Sequence, residues 1–187
     1  MKLITPSPRY RQEYLDACRE TWGHVHSTYI LHDPSQYDLW GKTLFQQFEN
    51  ERRGIGLPEG FVPSSTFWLI ENDRFLGSGN IRHVLTPALR EYGGQIGDFI
   101  RLSERGKGYG SALLRLLLSK ALEMGIRETL ITCEADNERS RRHIESLRER
   151  IIAVERALAD VEGRRKEVLR YHVRCYATAD ESNLKTQ

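Results

Sequence analysis

Ile96-Gly97-Asp98-Phe99-Ile100-Arg101-Leu102 runs through Ser103-Glu104 into Arg105-Gly106-Lys107-Gly108-Tyr109-Gly110-Ser111, and then into the leucine-rich stretch from Ala112 to Leu122. An apolar strand, a glycine-rich turn and a helix in that order make an anion-binding nest. The glycines let successive backbone N–H groups converge on phosphate oxygens, and the helix start adds partial positive charge. Arg105 and Lys107 set full charges beside it. A P-loop requires Gly, four residues, then Gly-Lys-Ser/Thr, a spacing this chain lacks. A dinucleotide fingerprint requires Gly-x-Gly-x-x-Gly, whereas Gly106, Gly108 and Gly110 stand at every second position. What the segment presents is Arg-x-x-Gly-x-Gly, on Arg105, Gly108 and Gly110.

Outward from this segment the apolar period switches between helix and strand. Leu3-Ile4 reads as a short first strand. Pro8 opens a helix to about Trp22, with Tyr10, Tyr14 and Cys18 every four residues. Asp33-Pro34 reads as an N-cap with proline at the first helical position, starting a second helix to about Arg53. Its stripe of Tyr37, Trp40, Leu44, Phe45 and Phe48 is read as core, with an acceptor-lining role as the alternative. Gly54 to Gly60 is a loop. Thr66–Glu71 and Arg74–Arg82, joined at Asn72-Asp73, read as a hairpin. A polar loop with Pro87 and Gly93-Gly94 leads to the strand before the nest. Beyond it, a helix from Tyr109 to Met124 closes at Gly125, Glu128–Cys133 is a strand, and Asp136 or Asn137 caps a further helix.

A length of 187 residues, 39% apolar and 29% charged, suits one domain with a sizeable core. The net charge of +2 gives no reason to expect nucleic acid or a membrane as partner, and no apolar run nears the ~20 residues of a span. Met1 to Pro6 lacks the apolar stretch of a signal peptide. Cys18, Cys133 and Cys175 are odd in number, widely spaced and without histidine at ligand spacing. Reduced thiols in a cytoplasm, and no metal, are the expectation.

The Arg-x-x-Gly-x-Gly loop between such a strand and helix resembles the pyrophosphate loop of the GNAT superfamily of acyl-CoA-dependent N-acyltransferases. The likeness extends over most of the chain. Pro63 to Leu69, Asn80-Ile81-Arg82-His83, Gly93 to Gly97, Ser103 to Tyr109 and Ile131 to Asn137 are similar to a bacterial branch of acetyltransferases of uncharacterised acceptor. The resemblance implies an α+β fold with a GNAT-like mixed, mostly antiparallel central sheet, one splayed parallel strand pair and helices on both faces. It implies a single domain over residues 1–176, with 177–187 as a loose tail. It also implies acetyl-CoA as co-substrate, with a small-molecule or peptide amine as acceptor. On this likeness Ile100, Arg101 and Leu102 would lend backbone groups to the pantetheine arm. Arg105, Gly106, Lys107, Gly108, Tyr109, Gly110 and Ser111 would hold the pyrophosphate. Asn137 and Ser140 match positions that meet the far end of the arm, and a plain helix cap is the other role for Asn137.

An alkyl ammonium with a pKa near ~10.4 cannot attack a thioester, so a proton acceptor is needed. Asp98 on the strand before the loop, Glu134 and Asp136 at the end of the next strand, and His83, whose imidazole has an intrinsic pKa near neutrality, are the candidates. Each also has a plain reading as a surface carboxylate, a cap or a backbone-bonded histidine, and a water chain to bulk could serve instead. A backbone N–H of the splayed strand would stabilise the oxyanion. No acyl-enzyme is required, so Cys133 is read as a core thiol. The family's usual tyrosine acid falls at Ile144 here. Asp98 replaces an aromatic or small residue, and Leu147-Arg148-Glu149 replaces an Asn-Gly-Gly turn. A thiol of pKa about 8.5 leaves tolerably without an acid.

The C-terminal third supports two readings. Ile144, Leu147, Ile151, Val154, Leu158 and Val161 fall at helical spacing, with no Gly or Pro before Gly163. The resemblance implies instead a helix ending near Leu147, then a hairpin from Ile151 to Cys175 turning near Glu162-Gly163-Arg164, and this is preferred. Arg139, Arg141, Arg142, Arg148 and Arg150 alternate with Glu138, Glu145 and Glu149 as on a solvated face, not a nucleic-acid stripe. Two functions remain: direct acetyl transfer to the primary amine of a small molecule, amino acid or peptide, or a catalytically silent GNAT-fold module that binds acyl-CoA or a protein. A paired C-terminal strand would suit a homodimer.

Overall fold

The structure, a computed structural model, describes residues 1–22, 41–161 and 163–177. The expected helix start at Asp33-Pro34, the side chains Tyr37 and Trp40, and nearly all of the expected tail lie outside them. Strand β1 (Lys2–Ile4) is followed by a 3-10 turn at Pro8–Tyr10 and helix α1 (Arg11–Thr21). Helix α2 (Gly41–Arg53) precedes a hairpin of β2 (Ser64–Glu71) and β3 (Arg74–Arg82). Its turn residues Asn72 and Asp73 both take positive φ, 48° and 59°, which suits the right-handed twist of the flanking strands. A short helix α3 (Pro87–Glu91) interrupts the stretch read as a loop; Thr86 caps it by accepting from Leu89 N, with proline in its first turn. Then come β4 (Ile96–Ile100), α4 (Tyr109–Glu123), β5 (Glu128–Glu134), α5 (Glu138–Glu145), β6 (Ile151–Val161) and β7 (Arg164–Arg174).

Two antiparallel sheets result, ordered β1-β2-β3-β4 and β5-β7-β6. Strand alternation sends Trp68, Ile70, Phe75 and Phe99 to one face of the first sheet, where Tyr14, Leu15, Cys18, Leu44 and Phe48 of α1 and α2 cover them. Tyr14 stacks on Trp68 with ring centroids 4.6 Å apart. The opposite face turns Phe67, Leu69, Ile81 and Ile96 onto Leu113, Leu114, Leu117 and Leu118 of α4, a core that continues over β5 and β7. Helices therefore lie on both faces, as expected. The C-terminal third is the expected hairpin, not the long helix its spacing also permits.

No ladder joins β4 to β5 among the described residues. Just before β4, Gln95 N donates to Leu130 O of β5 at 2.6 Å, and Gly93 N donates to Thr132 Oγ1 at 2.9 Å beside it. Gly94 is required there: its φ is +60°, and a Cβ would stand 2.5 Å from Leu130 O. Past this junction the two strands part, and the expected parallel pairing is not formed as a ladder.

Candidate active site

The strand β4 has one used edge and one open edge. Arg82 N donates to Gln95 O and Arg101 N to Leu76 O, which brackets the ladder with β3. Antiparallel alternation then aims the backbone groups of Gly97 and Phe99 at β3 and those of Asp98 and Ile100 away from it, toward the gap. Arg105 Nε, 3.1 Å from Ile100 O, occupies one of these outward groups. Of the three residues expected to lend backbone contacts, Ile100 keeps an outward N–H, the Arg101 N–H is spent on β3, and Leu102 begins a 3-10 turn. The Arg101 side chain is bound instead to Glu20 at 2.6 Å and Glu13 at 3.1 Å on α1.

The glycine loop is held open from outside. Gly106 and Gly108 take φ of +78° and +84°, and a Cβ on either meets nothing within 4 Å, so the cradle faces free space. Gly108 is the N-cap of α4 without a side-chain cap, leaving the first-turn N–H groups for an anion. Glu104 is buried and clamps the loop by ion pairs to Arg74 at 2.9 Å and Lys107 at 2.8 Å. Tyr109 OH donates to Glu71 at 3.0 Å, so its ring hydroxyl points away from the cradle toward β2. Burial and the neighbouring Arg139 both weigh against the charge on Arg105. Ser111 lies 2.9 Å from Ser146 Oγ, tying α4 to the end of α5. Asn137 caps α5 by accepting from Ser140 N at 3.1 Å.

The candidate proton acceptors are not gathered together. Glu134 is bound to Lys166 Nζ at 2.5 Å. His83 shares a 2.9 Å hydrogen bond with Ser65, and burial, with Arg52 nearby, holds its pKa below the ordinary value. The side chain of Asp98 projects to the α4 face of β4, where its Oδ2 is 3.2 Å from Nε2 of His143 on α5. Burial works against charging this imidazole, but Asp98 outweighs it and the pKa is raised. His143 also packs on the loop, since a Cβ on Gly110 would come within 3.0 Å of its Nδ1. Sequence reading passed over His143; the signal available was an acid inside an apolar strand, which calls for a buried partner. Ile144, at the tyrosine position, is 1% exposed in the core. Cys133 is buried, and burial pushes its thiol pKa up to about 11, as befits a core residue. Among the described residues no three potential metal ligands gather, and no helix is long and apolar enough to cross a membrane.

A splayed pair of strands with a glycine nest at its mouth defines the class. The model of the acetyltransferase (GNAT) family matches residues 25–147, and the chain belongs to that family. Its fold is shared with Mycobacterium smegmatis RimJ in complex with CoA-disulfide, at 17% identity and TM-score 0.65 over 99% of this chain and 84% of that one. YncA, a Salmonella typhimurium protein with its cofactor acetyl-CoA, superposes at TM-score 0.58 and 15% identity over 96% of both chains. A spermidine N-acetyltransferase chimera from Vibrio cholerae gives 0.59 and 10%, over 93% of this chain and 96% of that one. No curated protein matches by sequence.

Proposed function

We propose that residues 1–176 form one acetyltransferase domain that moves an acetyl group from acetyl-CoA directly to the primary amine of a small molecule, amino acid or peptide. One observation carries this reading: a glycine cradle at a helix start, open on the side a Cβ would take, adjoins the edge of β4 that pairs with no strand among the described residues. Phosphates suit the first-turn N–H groups with Arg105 beside them, and an amide-bearing arm suits the outward groups of Asp98 and Ile100. The outward N–H of Asp98 is placed to stabilise a thioester oxygen as the amine attacks. The C–N bond forms, the C–S bond breaks, and no group on the enzyme is acylated. Glu134 is bound to Lys166 and His83 to Ser65, whereas Asp98 belongs to this strand, so the amine's proton passes to Asp98 or to water.

Calorimetry with acetyl-CoA tests the reading, with Gly108→Trp as control. Saturable binding by the wild type, lost in the variant, is expected. A folded wild-type protein that does not bind would overturn it. Thiol release across a panel of amines then separates the enzyme from a silent acyl-CoA-binding module.

A further inference from the structure

Between the end of β4 and the glycine cradle the chain makes a 3-10 turn, Leu102–Glu104, and this turn sets where the cradle starts. Its backbone is largely committed. Arg101 N donates to Leu76 O at 2.9 Å, Glu104 N to Arg101 O at 2.9 Å and Arg105 N to Leu102 O at 3.3 Å. The opening N–H groups of such a turn have no partner within it, and Ser103 carries one of them. A carboxylate from another element takes it: Glu20, in the last turn of α1, accepts from Ser103 N. The same carboxylate accepts from Arg101 Nε at 2.6 Å, and the Arg101 side chain is only 12% exposed. Glu13, two helical turns earlier on the same face, accepts from the other end of that guanidinium at 3.1 Å and from Phe75 N at 3.3 Å. Of the two acids that share Arg101, Glu20 is the one that also holds the turn.

Resting on the acetyl-CoA reading above, we propose that Glu20 is a positioning residue for the cofactor's phosphates. It ties the strand-to-loop turn to α1 at Ser103 and Arg101, and so fixes where Gly106 to Gly110 present their N–H groups. It acts through these two residues rather than on the ligand. Its charge matters as well as its shape, because a single carboxylate serves a backbone N–H and a guanidinium together. Burial pulls its pKa up, but the hydrogen bonds from Arg101 and Ser103 outweigh this and leave it below the ordinary carboxylate value. Glu20 also supports the charge on Arg105, against burial and Arg139. On the far side the loop is held by Glu104 to Arg74 and by Tyr109 to Glu71. Loss of Glu20 should therefore shift the turn without unmaking the cradle.

The test needs no acceptor. Calorimetry with CoA compares the full wild-type chain with Glu20→Gln and Glu13→Gln, and unfolding stability is measured for each. Both variants take a carboxylate from Arg101, and only the first releases Ser103. Glu20→Gln should raise the Kd for CoA about tenfold, and Glu13→Gln by no more than about twofold. Hydrogen exchange at the Ser103, Glu104 and Arg105 amides should quicken in Glu20→Gln and keep its wild-type rate in Glu13→Gln, a division that a general loss of stability would not produce. A folded Glu20→Gln that binds CoA as the wild type does, or equal losses of affinity in the two variants, would overturn this inference and leave the acetyl-CoA reading standing. Should Glu20→Gln fail to fold, Glu20→Asp, whose carboxylate stops short of Ser103, is read against the same limits. A folded wild type that does not bind CoA removes both.

Discussion

Two hairpins of this molecule are held by different forces. The β2–β3 hairpin is covered on both faces, and each strand carries its own apolar pattern: Trp68, Ile70 and Phe75 toward α1 and α2, Phe67, Leu69 and Ile81 toward α4. In the β6–β7 hairpin burial is concentrated in the second half of β7, at Val168, Leu169, Tyr171 and Val173. Among the described residues its neighbour β6 pairs with β7 alone, and Ile152, Val154 and Leu158 are 48%, 51% and 60% exposed. Leu169 and Tyr171 lie under α4 and α5, whereas their cross-strand partners Arg156 and Val154 extend beyond the helices. A strand can thus be specified by the side chains it buries, or merely by the neighbour whose backbone it pairs with.

The sharpest break in that contrast is Trp68→Ala. Trp68 is fully buried and stacked on Tyr14, so its loss should cost about 4 kcal/mol by denaturant unfolding. Gly94→Ala strikes the junction of the two sheets, where positive φ and the nearby Leu130 carbonyl leave no room for a Cβ. It should cost about 2 kcal/mol in the same measurement. Leu158→Ala on the uncovered strand should change stability by no more than about 0.5 kcal/mol; a loss near that of Trp68→Ala would show that β6 is buried in solution.

The smallest effect is one of pH at the end of β3. Burial, and then Arg52, lower the pKa of His83, so the unfolded chain binds its proton more readily. That contribution to stability is complete above about pH 6.5 and declines as pH falls below it toward the folded pKa. Thermal melts from pH 7 to pH 5 should therefore fall less steeply in His83→Gln than in the wild type. Equal slopes would show the ring to be as solvated in the fold as out of it.

The same contrast explains what could be read from the chain. The β2–β3 hairpin was legible because Asn72-Asp73 and the alternating apolar residues agree. The loop before α4 was legible because glycine is the residue that takes positive φ without strain, and Gly106 and Gly108 both do so. For β6, composition and spacing favour a helix, and the strand is imposed by the partner β7, information that lies elsewhere in the chain. Helix α3 carried a local signal in Thr86-Pro87 that the surrounding glycines outweighed. His143 carried none by itself. Its meaning comes from Asp98, 45 positions away in sequence and 3.2 Å away in space.

Because β4 lends its backbone to a neighbour on one side only, its amides should not exchange with deuterium as a block. Gly97 and Phe99, turned toward β3, should hold their hydrogens, while Asp98 and Ile100 between them lose theirs early. A strand labelled at every second residue is the isotopic imprint of a sheet left unfinished along one seam. Slowing of those two amides alone, when CoA is added, would date the moment the seam is closed.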